Sequence, residues 1–410
     1  MLVFEEMLDS AVRERFLAYK NNSVSCLNEE LEAMRTYLLS EQCTDDIQRL
    51  MAGNYFLEPP RQVARCKARS NKKRLIYSFS KENKMLLQLM TFVLHDYDDM
   101  FADNLYSFRR EKRAIDLIYR LKHTPDLENK YIFKTDINRF GESVDGEILL
   151  SQAERLFVRD PQFLAFLRWL LRWRTYRARD GKICHDGPAL MSGMPLTSFL
   201  ENVYLMELDQ IFEEKEVLYG RYADDIVLYA DTEAQITEYR QIILAEMERR
   251  RLTLHAEKTM LLPPGSPVEV LGMKVTGRRV DIADSSLLKM KWKLRRSADR
   301  LMQQKKRDGL SDDEAMRLMI LAANRRFFGD ISDRHELNWC QWAMPVLTET
   351  EGLKKLDAAI QNNIRYVGSG KKSNARYRIR FSKLHELGYR SLVNVYYHRF
   401  ETDWSTLHLR

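Results

Sequence analysis

The sequence predicts an α+β fold in which a short antiparallel sheet carries acidic side chains and the end of the chain is helical. Two runs of strand-forming residues, 217–219 and 226–229, flank the tetrapeptide Tyr-Ala-Asp-Asp at 222–225, which is the pattern of a β-hairpin. A third apolar run at 131–137 predicts another strand. From Ser285 onward, apolar residues recur at helical spacing, so the last third is predicted to be helical. Capping-box patterns at 311–314 and 348–351 predict two helix starts, and Gly368 is the expected C-cap of the second helix.

Length and composition indicate a globular protein with an affinity for polyanions. The 410 residues suggest two or three compact units, and 45% hydrophobic content suffices for a core. The 66 basic and 59 acidic residues give a net charge of +7. This balance suits a polyanionic partner but does not identify one.

The sequence predicts a cytoplasmic protein with no membrane partner. Its five cysteines are dispersed without metal-ligand spacing, which is typical of reduced thiols in a cytosolic protein. The acidic first six residues lack a signal-peptide pattern, and no apolar run is long enough to cross a bilayer. The sequence does not indicate an oligomeric state.

The two adjacent carboxylates of the hairpin suggest a cation site. Asp224 and Asp225 at a tight turn repel each other and are costly to ionise together. A divalent cation would relieve the repulsion, because hard cations are bound by carboxylate oxygens. Asp-rich turns are also common on protein surfaces, and the tetrapeptide alone leaves both interpretations open.

The remaining motifs follow in a defined order. Asp136 ends the 131–137 strand, a Gly-Met-Pro turn at 193–195 opens a helix, and Lys258 and Gly272 lie beyond the hairpin. In this order the set resembles the palm motifs of reverse transcriptases. The resemblance extends from Arg61 to Val275.

The resemblance implies a right-hand polymerase architecture. Residues 1–60 would be an N-terminal helical segment, and 61–130 the fingers. Residues 131–284 would be the palm, and 285–410 a helical thumb with a C-terminal extension.

The same resemblance assigns the chemistry of nucleotidyl transfer. Two divalent metals about 3.5–4 Å apart, Mg²⁺ with Mn²⁺ as the alternative, would stabilise the attacking and leaving oxygens. Asp136 and Asp224 would bridge the metals, Asp225 would support them, and the backbone carbonyl of Ile137 would be a further ligand. Lys258 would stabilise the leaving pyrophosphate. The alternatives are a helix N-cap for Asp136 and a surface turn for Lys258.

A basic run is expected to contact the nucleotide. Seven basic residues and no acid occupy 61–74, a pattern that usually forms a solvated face. The resemblance makes Lys67 and Arg74, with Lys73 beside them, the contacts of the triphosphate. Arg74 is favoured because a guanidinium suits bidentate phosphate recognition. The resemblance adds Gly193 and Pro195 to the substrate site.

Nucleic-acid contacts are expected at three places. Either Arg109 or Arg110 would approach the template or nucleotide, and Gly272 would lie in the strand that grips the primer end. A helix that combines an apolar stripe with a basic face would follow the phosphate backbone. Its basic residues are Lys289, Lys291, Lys293, Arg295, Arg296 and Arg300. A segment at 376–380 suits either single-stranded RNA or a charged surface strand.

The sequence departs from the family pattern near the sugar-selecting position. Many reverse transcriptases carry an aromatic gate after the first aspartate, whereas this chain has Phe140 followed by Gly141. Either Gly141 leaves the gate without a side chain, or Phe140 takes its role, which we favour. Pro195 is followed by Leu-Thr-Ser and not by the Gln-Gly that is common in retroviral and intron enzymes. No ribonuclease H, integrase or endonuclease segment is recognisable. These departures most resemble bacterial defence-associated reverse transcriptases of the abortive-infection and "unknown group" lineage.

The favoured function is an RNA-directed DNA polymerase that uses dNTPs to copy a companion noncoding RNA into DNA during antiphage defence. A related alternative is protein-primed or template-independent DNA synthesis by the same site. An RNA-binding scaffold with an inactive site is the alternative of another class, which the intact Asp136, Asp224 and Asp225 oppose. An RNA-directed RNA polymerase is a further alternative, and Gly141 is the only residue that supports it. The sequence does not name the template, the primer or the product.

Overall fold

The computed structural model describes residues 2–21, 28–55, 57–66, 73–329, 338–371 and 378–398, and these combine helices and sheets, as predicted. The described helices are α1 (Val3–Leu8), α2 (Ser10–Asn21), α3 (Asn28–Leu38), α4 (Glu41–Met51), α5 (Lys81–Leu94), α6 (Ala114–His123), α7 (Phe140–Ser143), α8 (Gly146–Leu156), α9 (Pro161–Arg172), α10 (Thr197–Glu214), α11 (Glu233–Arg249), α12 (Asp284–Asp308), α13 (Asp312–Phe328), α14 (Trp339–Ala343), α15 (Glu351–Ser369), α16 (Phe381–Glu386) and α17 (Leu392–Tyr397). The described strands are β1 (Arg61–Cys66), β2 (Lys73–Ser78), β3 (Tyr131–Asp136), β4 (Tyr176–Arg177), β5 (Ile183–Cys184), β6 (Leu218–Tyr222), β7 (Asp225–Ala230), β8 (Met260–Leu262), β9 (Val268–Val270), β10 (Met273–Thr276) and β11 (Arg279–Ile282). Within this part of the chain, no helix combines the length and apolarity needed to cross a bilayer.

The chain forms two compact units. The first comprises Met1–Leu117 and Asn129–Pro264, and the second Ile118–Glu128 and Gly265–Arg410. The first therefore contains the motifs from the basic run to Lys258, and the second contains Gly272 and the basic helix. The division into fingers, palm and thumb stays a prediction.

An antiparallel sheet in the order β6-β7-β3-β8 lies at the centre of the first unit. Helices α10 and α11 pack on it, and Phe133, Ile226 and Leu228 belong to the core beneath them. Successive side chains of a strand point to opposite faces, so Asp136 and Asp225 lie on the face away from this core. The predicted hairpin is confirmed, with β6 and β7 as its arms.

A second sheet of the first unit, in the order β2-β1-β4-β5, adjoins the turn before α10. The amide of Tyr77 donates to the carbonyl of Ser192 at 2.8 Å. A Cβ at Gly193 would lie only 2.7 Å from the Tyr77 carbonyl oxygen, and the residue has φ 106°. Glycine is required there because the backbone of β2 approaches so closely.

The second unit combines the sheet β11-β10-β9 with a helical bundle in which α12, α13 and α15 pack on one another. Helix α13 begins at the predicted capping box, where the Ser311 hydroxyl accepts from the Glu314 amide and the Glu314 carboxylate accepts from the Ser311 amide.

Two predicted ends of α15 are wrong. No capping box forms at 348–351, because the Thr348 hydroxyl accepts from the Val280 amide at 2.8 Å and the helix begins at Glu351. The helix also continues past Gly368 to Ser369, and Gly370, with φ 70°, is the C-cap. Gly368 serves packing instead, since a Cβ there would lie 2.7 Å from the Met316 sulfur.

Candidate active site

Three carboxylates meet at one end of the central sheet of the first unit. Asp136 is the last residue of β3 and lies opposite Asp225, the first residue of β7. Asp224 lies in the two-residue loop before β7, and its carbonyl accepts from the Ile137 amide at 2.9 Å. The acidic turn, residues 222–225, is thus joined to the end of β3 by main-chain hydrogen bonds.

The carboxylates are close enough to influence one another. Burial raises the pKa of Asp224, and repulsion from Asp136 raises it further. Lys258 and Lys134 partly offset this rise. Adjacent carboxylates in a partly buried position are costly to ionise. A bound cation would lower that cost, so the site favours cations.

Two lysines contact the carboxylates. The Lys258 ammonium lies 2.7 Å from Asp136 Oδ2, and its side chain is 55% exposed. Lys134 is only 8% exposed and contacts Asp225 Oδ1. Lys134 also donates to the Thr135 carbonyl at 3.3 Å. Sequence reasoning missed Lys134, although a lysine within the apolar strand β3, two residues before Asp136 and therefore on its face, was a usable signal.

The donor set fits a divalent cation by its chemistry. Carboxylate oxygens with a neighbouring backbone carbonyl are the ligands that Mg²⁺ and Mn²⁺ prefer. Over the described residues, no group of three or more His, Cys, Asp and Glu side chains is already arranged around one point. Asp136 and Asp225 instead face the two lysines, so their carboxylates would have to turn to share an ion. The metal roles of Asp136, Ile137, Asp224 and Asp225 stay predictions.

The structure separates the two residues considered for sugar selection. Phe140 is 4% exposed and belongs to the core, where its ring centroid lies 6.4 Å from that of Tyr204. Gly141 is half-buried, and a Cβ there would lie 2.6 Å from Glu201 Oε1. The space that a gate side chain at 141 would need is therefore occupied by the carboxylate of Glu201. No motif in the sequence pointed to Glu201.

The expected triphosphate contacts are only partly described. Lys67 lies outside the described residues, while Lys73 and Arg74 pair with Cys66 and Arg65 on the β1–β2 hairpin, without described side chains. Gly193 and Pro195 lie in the turn that β2 approaches.

Arg109 and Arg110 both bind neighbouring protein groups. Arg109 donates to the carbonyls of Ala102 and Leu105 at 2.9 and 3.5 Å. Arg110 pairs with Asp96, and its guanidinium lies 4.5 Å from the centre of the Phe92 ring. A nucleic-acid role for either arginine stays a prediction.

The basic helix α12 has an exposed face and a packed face. Lys289, Lys293, Arg296 and Arg300 are exposed, and their spacing places them on one side of the helix. Lys291 and Arg295 are half-buried, and the Arg295 guanidinium lies 4.1 Å from the centre of the Tyr366 ring.

Gly272 lies in the turn between β9 and β10 and has φ 82°. A Cβ there would lie 2.7 Å from the Ser286 hydroxyl, so close packing already requires the glycine. Of the segment 376–380, residues 376 and 377 lie outside the described part of the chain.

Three carboxylates thus meet at one end of an antiparallel sheet, two from the acidic turn and one from the neighbouring strand β3, and such a set suits divalent cations. Residues 66–275, just over half of the chain, match the family described as reverse transcriptase (RNA-dependent DNA polymerase). The chain belongs to the reverse transcriptase family, and the predicted family and right-hand fold class are confirmed.

The similarity extends to one curated bacterial enzyme. The chain is 24% identical over 213 residues to the retron Ec86 reverse transcriptase of Escherichia coli. The match covers 51% of this chain and 60% of that relative.

Among solved structures, telomerase of Candida albicans in complex with a fragment of telomeric RNA aligns over 91% of this chain and 69% of its own, with 10% identity and a TM-score of 0.44. Apo telomerase of Candida tropicalis aligns over 80% of this chain and 72% of its own, with 12% identity and a TM-score of 0.45.

Proposed function

We propose that the protein is an RNA-directed DNA polymerase that adds dNTPs to a growing DNA strand. The observation that carries this proposal is the meeting of Asp136, Asp224 and Asp225 at one end of the sheet in a chain of the reverse transcriptase family. Burial of Asp224 and its repulsion by Asp136, which raise its pKa, support a role in which opposite charge is delivered to the site.

Each residue of the candidate site has a separate role in the proposed reaction. Divalent cations, when bound, would supply charge neutralisation for the phosphates and the attacking 3′-hydroxyl. Asp136 and Asp224 would hold them and Asp225 would support them, while Lys134 keeps Asp225 in place by contact with its carboxylate. Lys258, whose exposed side chain pairs with Asp136, would turn toward the leaving pyrophosphate.

The proposal extends to the partners. We infer an RNA template, a DNA product and a companion noncoding RNA copied during antiphage defence in the cytoplasm. Similarity to an enzyme named a retron reverse transcriptase supports this line, as does the net charge of +7. Sequencing the nucleic acid that copurifies with the protein, with and without nuclease treatment, tests it. Discrete DNA complementary to one bound RNA supports the proposal, whereas DNA without any RNA complement favours template-independent synthesis.

Replacement of both loop carboxylates tests the catalytic assignment. Asp224→Ala with Asp225→Ala should abolish dNTP incorporation on an RNA template, because charge stabilisation worth several kcal/mol is lost. RNA affinity should change little. The matched control is Glu29→Ala with Glu30→Ala, which removes two adjacent charges from the exposed face of α3. Incorporation that persists in the Asp double variant would refute the assignment.

A further inference from the structure

The acidic turn contains a backbone conformation that its own sequence does not favour. Ala223 has φ 54°, in the left-handed region that two-residue hairpin loops normally give to glycine, asparagine or aspartate. An alanine in that region is strained, and such a conformation persists only where the surroundings hold it. The position of Asp224 therefore depends on whatever holds Ala223.

A buried arginine contacts this alanine. Arg221 Nη1 donates to the Ala223 carbonyl at 3.1 Å. The same guanidinium binds Asp209 of α10 with two parallel hydrogen bonds, from Nε at 2.8 Å and from Nη2 at 2.5 Å. Both side chains are essentially inaccessible, at 0% and 1% exposed. All three nitrogens of the guanidinium are thus engaged, two with the helix and one with the acidic turn.

The surrounding contacts fix the arginine itself. The Tyr219 hydroxyl donates to Asp209 Oδ1 at 2.9 Å. The side-chain amide of Asn104 donates to the backbone carbonyl of Asp209 at 2.8 Å. On the main chain, the Arg221 amide donates to the Asn104 carbonyl and the Tyr106 amide donates to the Arg221 carbonyl. The pair therefore joins β6, α10 and the segment around Asn104, all within the first unit.

Stability alone does not explain this pair. Burying two charges is expensive, and apolar residues of similar volume often stabilise a core equally well. What apolar residues cannot do is donate a hydrogen bond to the Ala223 carbonyl while remaining fixed to α10. Lysine cannot replace the arginine either, because it lacks the planar fork that binds a carboxylate with two nitrogens.

We propose that the Arg221–Asp209 pair positions the catalytic aspartates by clamping the Ala223 carbonyl and so fixing the acidic turn against α10. Arg221 and Asp209 are positioning residues: they act through the backbone of the turn. This inference rests on the proposed function for its kinetic consequences, but its structural consequence is independent of catalysis.

The test compares two buried arginines. Arg221→Lys keeps a charge beside Asp209 but removes the clamp. The matched control is Arg250→Lys, since Arg250 is 1% exposed, pairs with Glu207 and Glu246, and binds the Tyr204 carbonyl away from the acidic turn. A second test variant combines Arg221→Met, Asp209→Leu and Tyr219→Phe, which replaces the buried polar set by apolar groups of similar volume.

Two measurements are made on all variants: single-nucleotide incorporation on an RNA template, and hydrogen exchange of the Ile137 amide, which donates to the Asp224 carbonyl. Arg221→Lys should lower kcat by about 100-fold with little change in the KM for dNTP, because small misplacements of reacting groups carry such costs. The exchange of the Ile137 amide should accelerate by about tenfold as the turn opens locally. Arg250→Lys should change neither quantity. The apolar triple variant should unfold cooperatively near the wild-type temperature and show the same two defects as Arg221→Lys.

The outcomes separate this inference from the proposed function. A wild type without RNA-templated synthesis would refute the proposed function, and the Ile137 exchange would still decide the role of Arg221. An active wild type in which Arg221→Lys matches Arg250→Lys in both readouts would overturn the clamp alone. Loss of cooperative unfolding in both Arg221 variants would assign the pair to folding and would also overturn it.

Discussion

At the scale of single residues, the two aspartates of the acidic turn have opposite electrostatic surroundings despite being adjacent. Asp224 is half-buried, and its partial burial together with repulsion from Asp136 raises its pKa. Asp225 contacts the buried ammonium of Lys134. The same substitution should therefore change stability in opposite directions at the two positions.

Asp224→Asn should raise the melting temperature in EDTA at neutral pH, because it removes a carboxylate whose ionised form is disfavoured in the folded state. Asp225→Asn should lower the free energy of unfolding by about 1–3 kcal/mol, because it removes the carboxylate charge that the buried Lys134 ammonium contacts. Thermal unfolding of the two variants and the wild type, monitored by circular dichroism, measures both effects. Equal shifts at the two positions would show that the surroundings do not differ as described.

The stabilisation by Asp224→Asn has a defined pH dependence. A pKa that is raised on folding favours the protonated carboxyl, so the penalty is complete above the folded pKa and disappears below the ordinary value. The difference in melting temperature between Asp224→Asn and the wild type should therefore shrink on acidification. A difference that grows toward acidic pH would contradict this sign.

Sugar selection should depend on Glu201 more than on Phe140. The Glu201 carboxylate fills the space beside Gly141, so Glu201→Ala should increase rNTP incorporation relative to dNTP. Glu214→Ala, at the exposed end of the same helix, is the control. Paired rNTP and dNTP incorporation assays give the ratio. An unchanged ratio in Glu201→Ala would place the discriminating group elsewhere.

Phe140→Ala would not test the gate cleanly. Its ring is buried in the core against Tyr204, and truncating a buried phenylalanine costs about 3–5 kcal/mol. The sequence could place Phe140 next to the gate position, but it could not show which way the ring points. The short helix α7 begins after Arg139, which has φ 50°, and Phe140 at its first position is buried.

At the scale of elements, helix α12 shows that a run of basic residues in the sequence predicts an exposed basic face only in part. Six basic residues suggested one nucleic-acid face, but they divide between an exposed side and a side that packs. Arg295 pairs with Asp299 and lies on the Tyr366 ring, so its charge is partly used within the bundle. The predicted contacts with phosphates therefore fall to the exposed residues Lys289, Lys293, Arg296 and Arg300.

Replacing Lys289, Lys293 and Arg300 by Gln should weaken RNA binding and flatten its salt dependence. Each lost phosphate contact should reduce the slope of log K against log salt by about 0.7–0.9. Filter binding at several salt concentrations measures this slope. The control replaces Lys354 and Lys355 on the exposed side of α15. A slope equal to that of the control would show that α12 does not follow the nucleic acid.

Element boundaries were predictable where a local hydrogen-bond pattern determines them. The Ser311 capping box was found from sequence because both partners lie within three residues. The same pattern failed at Thr348, because its hydroxyl binds Val280, which lies 68 residues away. Gly368 resembled a cap, but contact with Met316 required the glycine for packing. Long-range contacts of this kind leave no local sequence signal.

At the scale of the whole molecule, the order of motifs identified the family, while the supporting groups emerged only from the fold. Asp136, Asp224 and Asp225 were selected from sequence because strand–acid patterns are local. Asp209 lies in the middle of α10, and nothing near it in the chain indicates that it binds Arg221. The residues that hold a site come from distant elements, which a single sequence does not pair.

The central claim is that the site of Asp136, Asp224 and Asp225 copies RNA into DNA. The most direct measurement supplies the purified protein with two RNAs of different defined sequence, primers and dNTPs, and sequences the DNA made from each. We predict that each product is complementary to its own RNA and that Asp224→Ala with Asp225→Ala makes neither. DNA of one sequence whichever RNA is supplied, or DNA made in the absence of RNA, would contradict the claim.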